Sequence, residues 1–201
     1  MTELTVLQAV RFKGRTSLEG LAATLGDDVA DVAETVGQLT RTGLLVDGTS
    51  LRISPGGRAR LGELLAAERR GVDRTALAAV YREFHTPNRE FKQLATDWQL
   101  RNGRPNIHDD AEYDAAVVAR LERLHQRVMP IIAAAAAQLP RLGHYSAKLR
   151  AALDRVKAGD IVWLSRPIID SYHTVWFELH EELILAAGRT RESEAETADA
   201  Q

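Results

Sequence analysis

Within the first 58 residues, the helical pattern of apolar residues is interrupted by two short apolar runs that flank Asp47-Gly48. Asp-Gly between two apolar runs, here residues 44–46 and 51–53, is a strong signal for a β-hairpin. Pro55-Gly56-Gly57 then interrupts the chain, and a helical pattern begins at Arg58. The hairpin restricts this segment to folds in which one short antiparallel pair lies between helices.

Three short helical patterns precede the hairpin. The first covers about residues 4–12, and the second, residues 18–25, can be N-capped by Ser17 and ended by Gly26. The third begins after Asp28 and ends at Gly43. Its apolar stripe consists of Val29, Val32, Val36 and Leu39. This order predicts a small domain over residues 1–70.

The motifs of this segment resemble the winged helix-turn-helix domain of the MarR and PadR families of bacterial transcriptional regulators. The second helix reads Leu21-Ala22-Ala23-Thr24-Leu25-Gly26, and the third leads into Thr42-Gly43-Leu44-Leu45. Residues 51–58 resemble those families' leucine-threonine-proline-x-glycine-arginine stretch after the wing. The resemblance covers about a third of the chain and describes fold more than function. It implies a homodimer that binds double-stranded DNA with the third helix in the major groove.

The charges of the third helix depart from that family pattern. It starts with Asp27-Asp28, carries Asp31 and Glu34 at groove-facing positions, and has Arg41 as its only base. Carboxylates that face phosphate are repelled, and phosphate neutralisation supplies much of the affinity for DNA. Arginine and lysine residues before and after the hairpin, Arg60 among them, would have to contact the DNA phosphate backbone. The predicted DNA-binding residues are Arg11, Lys13, Arg15, Thr35, Gln38, Arg41, Arg52 and Arg58. The alternative is a winged helix that docks on a protein partner as an accessory or regulatory subunit of an enzyme.

Residues 71–188 read as an all-helical domain for dimerisation and effector binding, and residues 189–201 as a flexible acidic tail. The patterns predict a helix break at Thr86-Pro87, a loop over residues 102–106 and a helix over 110–138, capped by Asp109 or Asp110 and kinked at Pro130. The last large helix is expected to run from residue 167 to 187.

The last helix carries the most distinctive side chains of this domain. His173, Trp176 and His180 share one apolar face, whereas Glu178 and Glu182 lie on its polar arc. Together with polar residues beside the stripe of the helix over 88–100, they predict a pocket for a small-molecule effector. The predicted ligand-binding residues are Asn88, Lys92, Trp98, His173, Trp176 and His180.

Two other interpretations of the histidines remain open. They can be core residues hydrogen-bonded to carboxylates such as Asp97 or Asp170. A faint similarity to the all-helical effector domain of one branch of GntR regulators would instead imply metal binding, by His85, His144 and His173. The two-turn separation of His173 from His180 is too long for both to hold one ion without further ligands.

Composition excludes several classes. Without cysteine there is no disulfide and no thiolate metal site. The chain has no apolar run of membrane-spanning length and no signal-peptide pattern, so a cytoplasmic protein without a membrane partner is expected. No phosphate loop, nucleophile motif or paired-carboxylate site occurs, so we expect neither an enzyme nor a cofactor. The formal net charge of −2 does not decide for or against DNA.

Overall fold

The computed structural model of the chain describes residues 1–188, so the expected acidic tail at 189–201 lies outside the described residues. The chain divides into two compact units, the first spanning Met1–Gly71 and the second beginning at Val72. Residues 1–188 form nine α-helices and two two-stranded sheets. The predicted mainly α fold class is therefore confirmed.

The first unit has three helices, a hairpin and a fourth helix. Its elements are α1 (Glu3–Lys13), α2 (Leu18–Leu25), α3 (Val29–Arg41), β1 (Leu45–Val46), β2 (Arg52–Ile53), α4 (Pro55–Glu68) and a 3-10 turn (Arg69–Gly71). The antiparallel register pairs Leu45 with Ile53 and Val46 with Arg52. The hairpin expected from Asp47-Gly48 is confirmed.

The helix ends of the first unit follow from their capping residues. Ser17 Oγ accepts from the N–H of Gly20 at 3.0 Å, and Asp28 Oδ1 accepts from the N–H of Ala30 at 2.7 Å. Each cap satisfies a backbone donor that a helix N-terminus leaves without a partner. α4 begins at a close approach to the hairpin, because a Cβ on Gly57 would lie 2.0 Å from the carbonyl oxygen of Leu44.

The core of the first unit is built from one side of each helix. Its most buried apolar residues are Val6, Leu7, Val10, Leu21, Val32, Leu39, Leu45, Leu51 and Leu61. The expected stripe of α3 holds for three of its four members. The assignment of Val29 to this stripe is wrong, because its side chain is 41% exposed in the first turn, where Asp28 caps the helix end.

The second unit is a helical bundle with one small hairpin. Its elements are α5 (Arg74–Gln99), β3 (Leu100–Arg101), β4 (Arg104–Pro105), α6 (Ala111–Gln138), a 3-10 turn (Pro140–Gly143), α7 (His144–Lys157), α8 (Val162–Ser165) and α9 (Tyr172–Ala186). α5 packs on α6 and α9, and α7 packs on α6, α8 and α9. The buried apolar residues of these helices form one continuous core.

Three expected boundaries of the second unit are wrong. α5 continues through Pro87, because the burial of Phe84 and Phe91 on either side outweighs the backbone hydrogen bond that proline removes. Residues 102–106 are not a plain loop, because Asn102 and Gly103, at φ 52° and 74°, form the tight turn of the β3–β4 hairpin.

The third error concerns the last helix, which starts at Tyr172 rather than at residue 167. Ser171 caps it by accepting from the N–H of Thr174 at 3.3 Å, and Ile168 has a non-helical φ of 78°. None of the helices within residues 1–188 combines the length and the apolar character needed to cross a membrane.

Candidate functional site

The outer face of α3 is the surface that the sequence predicts to contact DNA. Val32, Val36 and Leu39 pack into the core, so the other side of the helix points to solvent. The exposed residues there are Ala30, Asp31, Glu34, Gln38 and Arg41, beside the half-buried Ala33 and Thr35. The Thr35 hydroxyl donates to the carbonyl oxygen of Asp31 at 3.4 Å, which occupies it within the helix.

The charge of this face changes along α3. Asp27, Asp31 and Glu34 are exposed, and none of them forms an ion pair within residues 1–188. Carboxylates in the first turns complement the positive end of the helix dipole, which gives them a structural role. Arg41, the only base of α3, lies in the last turn. The first turns of α3 are therefore negative and the last turn is positive.

The bases around the first hairpin are better placed than those of α3. An isolated antiparallel bridge joins Thr16 to Leu51. Arg15 directly precedes Thr16, Arg52 directly follows Leu51, and both arginines are exposed. The bridge therefore places two exposed cationic residues on adjacent backbone segments at the edge of the hairpin. Such an arrangement is suited to an anionic partner.

The remaining predicted bases differ in accessibility. Arg58 is exposed on α4, and Arg11 is exposed with its guanidinium 5.7 Å from the ring centre of Phe12, whereas Lys13 is half-buried. Arg60, an expected additional backbone contact, pairs instead with Glu3 at 3.1 Å.

A cleft of about 270 Å³ separates α3 from the first hairpin. Its lining includes Ser17, Gly37, Asp47, Thr49 and Ser50. The hydroxyl groups can donate hydrogen bonds to a phosphate or a peptide, and Gly37 allows close approach. The cleft lies on the side of the unit that also carries the outer face of α3.

Four of the six predicted ligand-binding residues belong to the contact between α5 and α9 or border it. Trp176 Nε1 donates to Asn88 Oδ1 at 3.0 Å, and Asn88 Nδ2 lies 3.4 Å from His180 Nε2. Phe91 stacks on Trp176, with ring centres 4.5 Å apart, and its ring centre lies 5.8 Å from that of His173. A buried amide thus bridges an indole and an imidazole.

His173 differs from His180 in its surroundings. It is half-buried and forms no hydrogen bond or ion pair within residues 1–188, and burial lowers the pKa of its imidazole. The Asn88 amide is one partner of His180, and Asp97, one of the carboxylates that the sequence suggested for the histidines, pairs with Arg120 at 2.6 Å.

The other two predicted ligand residues do not join this group. Lys92 is exposed on α5. Trp98 is buried, and its ring contacts that of His108 in a tilted arrangement, with centres 4.4 Å apart. The structure therefore assigns Trp98 to a different contact, at the end of α5 that leads into the second hairpin.

A buried ion-pair network, missed at the sequence level, links the 3-10 turn Pro140–Gly143 and α7 to α9 and the segment before it. Arg141 lies 2.7 Å from Glu182, and Lys148 lies 3.3 Å from Glu178 and 3.2 Å from Asp170. Glu178 and Glu182, on the polar arc of α9, are only 4% and 1% exposed. Their four-residue spacing puts both on one side of α9, but no local signal identifies the bases that cover them.

The segment 106–110, which links the second hairpin to α6, is fastened by a second network. Asn106 Nδ2 donates to the carbonyl oxygen of Trp98 and to Asp114 Oδ1, both at 3.1 Å. His108 Nδ1 lies 2.9 Å from Asp114 Oδ2. Asp110 caps α6 by accepting from two backbone N–H groups, as expected for one of the two candidate aspartates, and these bonds lower the pKa of its carboxyl.

The histidines that a metal would require are spread over the second unit. His85 contacts Tyr81 edge-on with ring centres 4.6 Å apart, and His144 Nδ1 contacts the carbonyl oxygen of Arg141. Within residues 1–188 no three His, Cys, Asp or Glu side chains group closely enough to hold a metal ion.

The chain was compared with family models, with curated proteins and with solved structures. None of the three comparisons found a match, so the geometry itself is the basis for any function.

Proposed function

We propose that the first unit is a winged helix-turn-helix domain that binds double-stranded DNA, and that the chain is a homodimeric transcriptional regulator. One observation carries the proposal: the exposed Arg15 and Arg52 adjoin the bridged residues Thr16 and Leu51, in a unit whose third helix has a solvent-facing outer side. Two exposed cations on adjacent segments repel each other, and an anionic partner compensates them. Phosphate is the anion that a hairpin next to an exposed helix meets on duplex DNA.

The acidic residues of α3 then determine what kind of DNA binding is expected. Asp31 and Glu34 can accept hydrogen bonds from the amino group of cytosine, and Gln38 can pair with adenine. The same carboxylates repel phosphates, so non-specific binding is weak, and because few phosphates are neutralised the affinity depends only shallowly on salt. Such a domain depends on base recognition more than a basic winged helix does.

The second unit has the role of dimerisation and effector binding in this proposal. Asn88, Lys92, His173, Trp176 and His180 are the candidate effector contacts. A half-buried imidazole without a hydrogen-bond partner supports this choice, because His173 can still donate to a ligand or accept from it. Effector binding would shift the population between a form that binds DNA and one that does not.

The test is DNA binding by the full chain to its own promoter region, followed by fluorescence anisotropy between about 50 and 200 mM salt. Arg15→Gln and Arg52→Gln should each weaken binding to all sequences and reduce the salt slope by about one. Arg82→Gln, an exposed arginine of α5, is the matched control and should leave both unchanged. Absence of binding at the lowest salt, or an equal loss in the control, rejects the DNA proposal.

A second candidate is a domain that docks on a protein, and the uncompensated carboxylates of α3 favour it. The partner would present a basic surface to Asp31 and Glu34. In that case the wild-type chain forms a stoichiometric complex with an associated protein and has no affinity for DNA. Asp31→Asn with Glu34→Gln should then abolish the complex, whereas the same pair should strengthen non-specific DNA binding if the first proposal is right.

A further inference from the structure

The β3–β4 hairpin of the second unit carries an unexplained pair of like charges. Its register sets Arg101 directly opposite Arg104. Like charges opposite each other in an antiparallel pair destabilise it, so a hairpin selected for stability alone would avoid them. A local rule broken without an evident structural gain is a mark of a functional position.

Arg101 and Arg104 differ in their ion-pair partners. Arg101 Nη2 donates to Asp110 Oδ2 at 2.5 Å, Asp109 lies 3.7 Å away, and the guanidinium stands 5.2 Å from the ring centre of Tyr113. Arg104 is exposed and forms no ion pair within residues 1–188. One guanidinium of the pair is therefore fixed and neutralised, and the other retains its charge.

A cleft of about 450 Å³ lies at this pair, and its volume is in the usual range for small-molecule sites. Arg101, Arg104 and Asp109 are the charged residues of its lining, and Asn102 adds a side-chain amide. Because Asp110 neutralises Arg101, Arg104 is the cation of this lining that has no ion pair within residues 1–188. Pro105 and Ile107 provide an apolar wall, and Ile107 is 75% exposed. The lining thus combines a cation with apolar surface.

The wall that carries Ile107 is held rigidly. Asn106 and His108, on either side of it, are hydrogen-bonded to Asp114, and the His108 ring packs at a tilt against Trp98. His108 also has a φ of 58°, which is uncommon for a residue other than glycine and persists only where neighbouring contacts enforce it. A strongly exposed isoleucine on a pinned segment is preorganised for contact with something outside the chain.

We propose that this cleft binds a small organic oxyanion, with its carboxylate or phosphate on Arg104 and its apolar part against Pro105 and Ile107. Arg101 is held by Asp110 and forms a fixed, neutralised side of the site, and Asp109 limits the site to ligands of low negative charge. His108 is a positioning residue that acts through the backbone of its neighbours. The site lies apart from the α5–α9 contact and does not depend on DNA binding by the first unit.

The experiment is an NMR titration of the full chain with benzoate and with phenyl phosphate, with benzamide as the neutral probe of the same shape. We expect saturable shifts of the Gly103, Arg104 and Ile107 amides with at least one oxyanion, in the millimolar range, and none with benzamide. The tighter of the two anions assigns the ligand to carboxylates or to phosphate monoesters.

Variants decide whether the charge pair is responsible. Arg104→Gln should weaken binding by about tenfold, and Arg104→Lys should restore part of it, since a point charge lacks the guanidinium fork. Arg82→Gln is the control and should bind as the wild type does. The proposal is overturned if the hairpin amides do not shift with either anion, if benzamide shifts them equally, or if Arg104→Gln binds unchanged.

Discussion

The ion pair between Arg141 and Glu182 allows a quantitative test of the bundle. The two side chains are 13% and 1% exposed, and their charged atoms are 2.7 Å apart. At an effective dielectric constant near 20, unit charges about 4 Å apart attract by about 4 kcal/mol. Arg141→Met leaves the Glu182 carboxylate buried without this partner, so the unfolding free energy should fall by about 3–5 kcal/mol.

The double variant Arg141→Met/Glu182→Leu removes both charges and should recover most of this loss, because a buried pair exchanged for apolar groups is often neutral or stabilising. Arg150→Met, at an exposed arginine of α7, is the control and should change stability by less than about 0.5 kcal/mol. Urea unfolding followed by tryptophan fluorescence reports on the second unit alone, because all three tryptophans, Trp98, Trp163 and Trp176, lie in it.

Two outcomes would refute this reasoning. If Arg141→Met costs less than about 1 kcal/mol, the glutamate is reached by solvent or by another cation, and the pair is not buried in the sense used here. If the double variant is as unstable as the sum of the two single variants, the side chains contribute by packing rather than by charge.

Further predictions concern both units. Gly57→Ala should destabilise the first unit by at least about 2 kcal/mol, because the added Cβ would clash with the Leu44 carbonyl oxygen. Gly62→Ala, on the same helix but with open space around the added Cβ, should stabilise the unit by about 0.5–1 kcal/mol. Thermal unfolding followed by far-UV circular dichroism measures both changes. Burial lowers the pKa of His125, so the unfolded chain binds more protons and the stability of the second unit should fall as pH drops below about 6.5. His125→Gln, which can still bond the Tyr172 hydroxyl, should reduce this dependence in urea unfolding at several pH values, and the part that remains comes from His144 and His173, whose pKa burial also lowers. An unchanged slope contradicts the prediction.

The first unit was largely predictable because its signals are local. Ser17, Asp28 and Asp47-Gly48 each act on backbone within a few residues, so caps and hairpin could be inferred without knowledge of tertiary contacts. Val29 was assigned to the buried stripe because periodicity alone does not show where neighbouring helices stop covering a helix end.

The errors in the second unit have a common cause. The sequence predicts a break at Pro87 and places Glu182 on a polar arc, because proline usually interrupts helices and glutamate is rarely buried. In each case a contact distant in sequence reversed the local preference, through the aromatic core in the first case and Arg141 in the second. The Asn102-Gly103 turn is different, since its hairpin signal is local and was overlooked in a polar segment.

The candidate site was predictable only in part. Asn88, Trp176 and His180 could be grouped because each lies on the apolar side of its helix, and facing stripes tend to meet. Trp98 lies on the same stripe of α5, yet it packs at the other end of the helix, on His108. Helical periodicity specifies direction around the axis and not which neighbour covers each turn.

The Asn88 bridge has a consequence for how α5 and α9 align. Aliphatic contacts lose little when two helices slide past each other, whereas an amide bonded to an indole and an imidazole has one matching position. A shift by one turn would leave those polar atoms buried without hydrogen-bond partners. Each such group would lower the free energy of unfolding by about 1–3 kcal/mol. The asparagine thus discriminates among sliding positions that shape alone would leave nearly equivalent, and it holds the two histidines of α9 at fixed heights along α5.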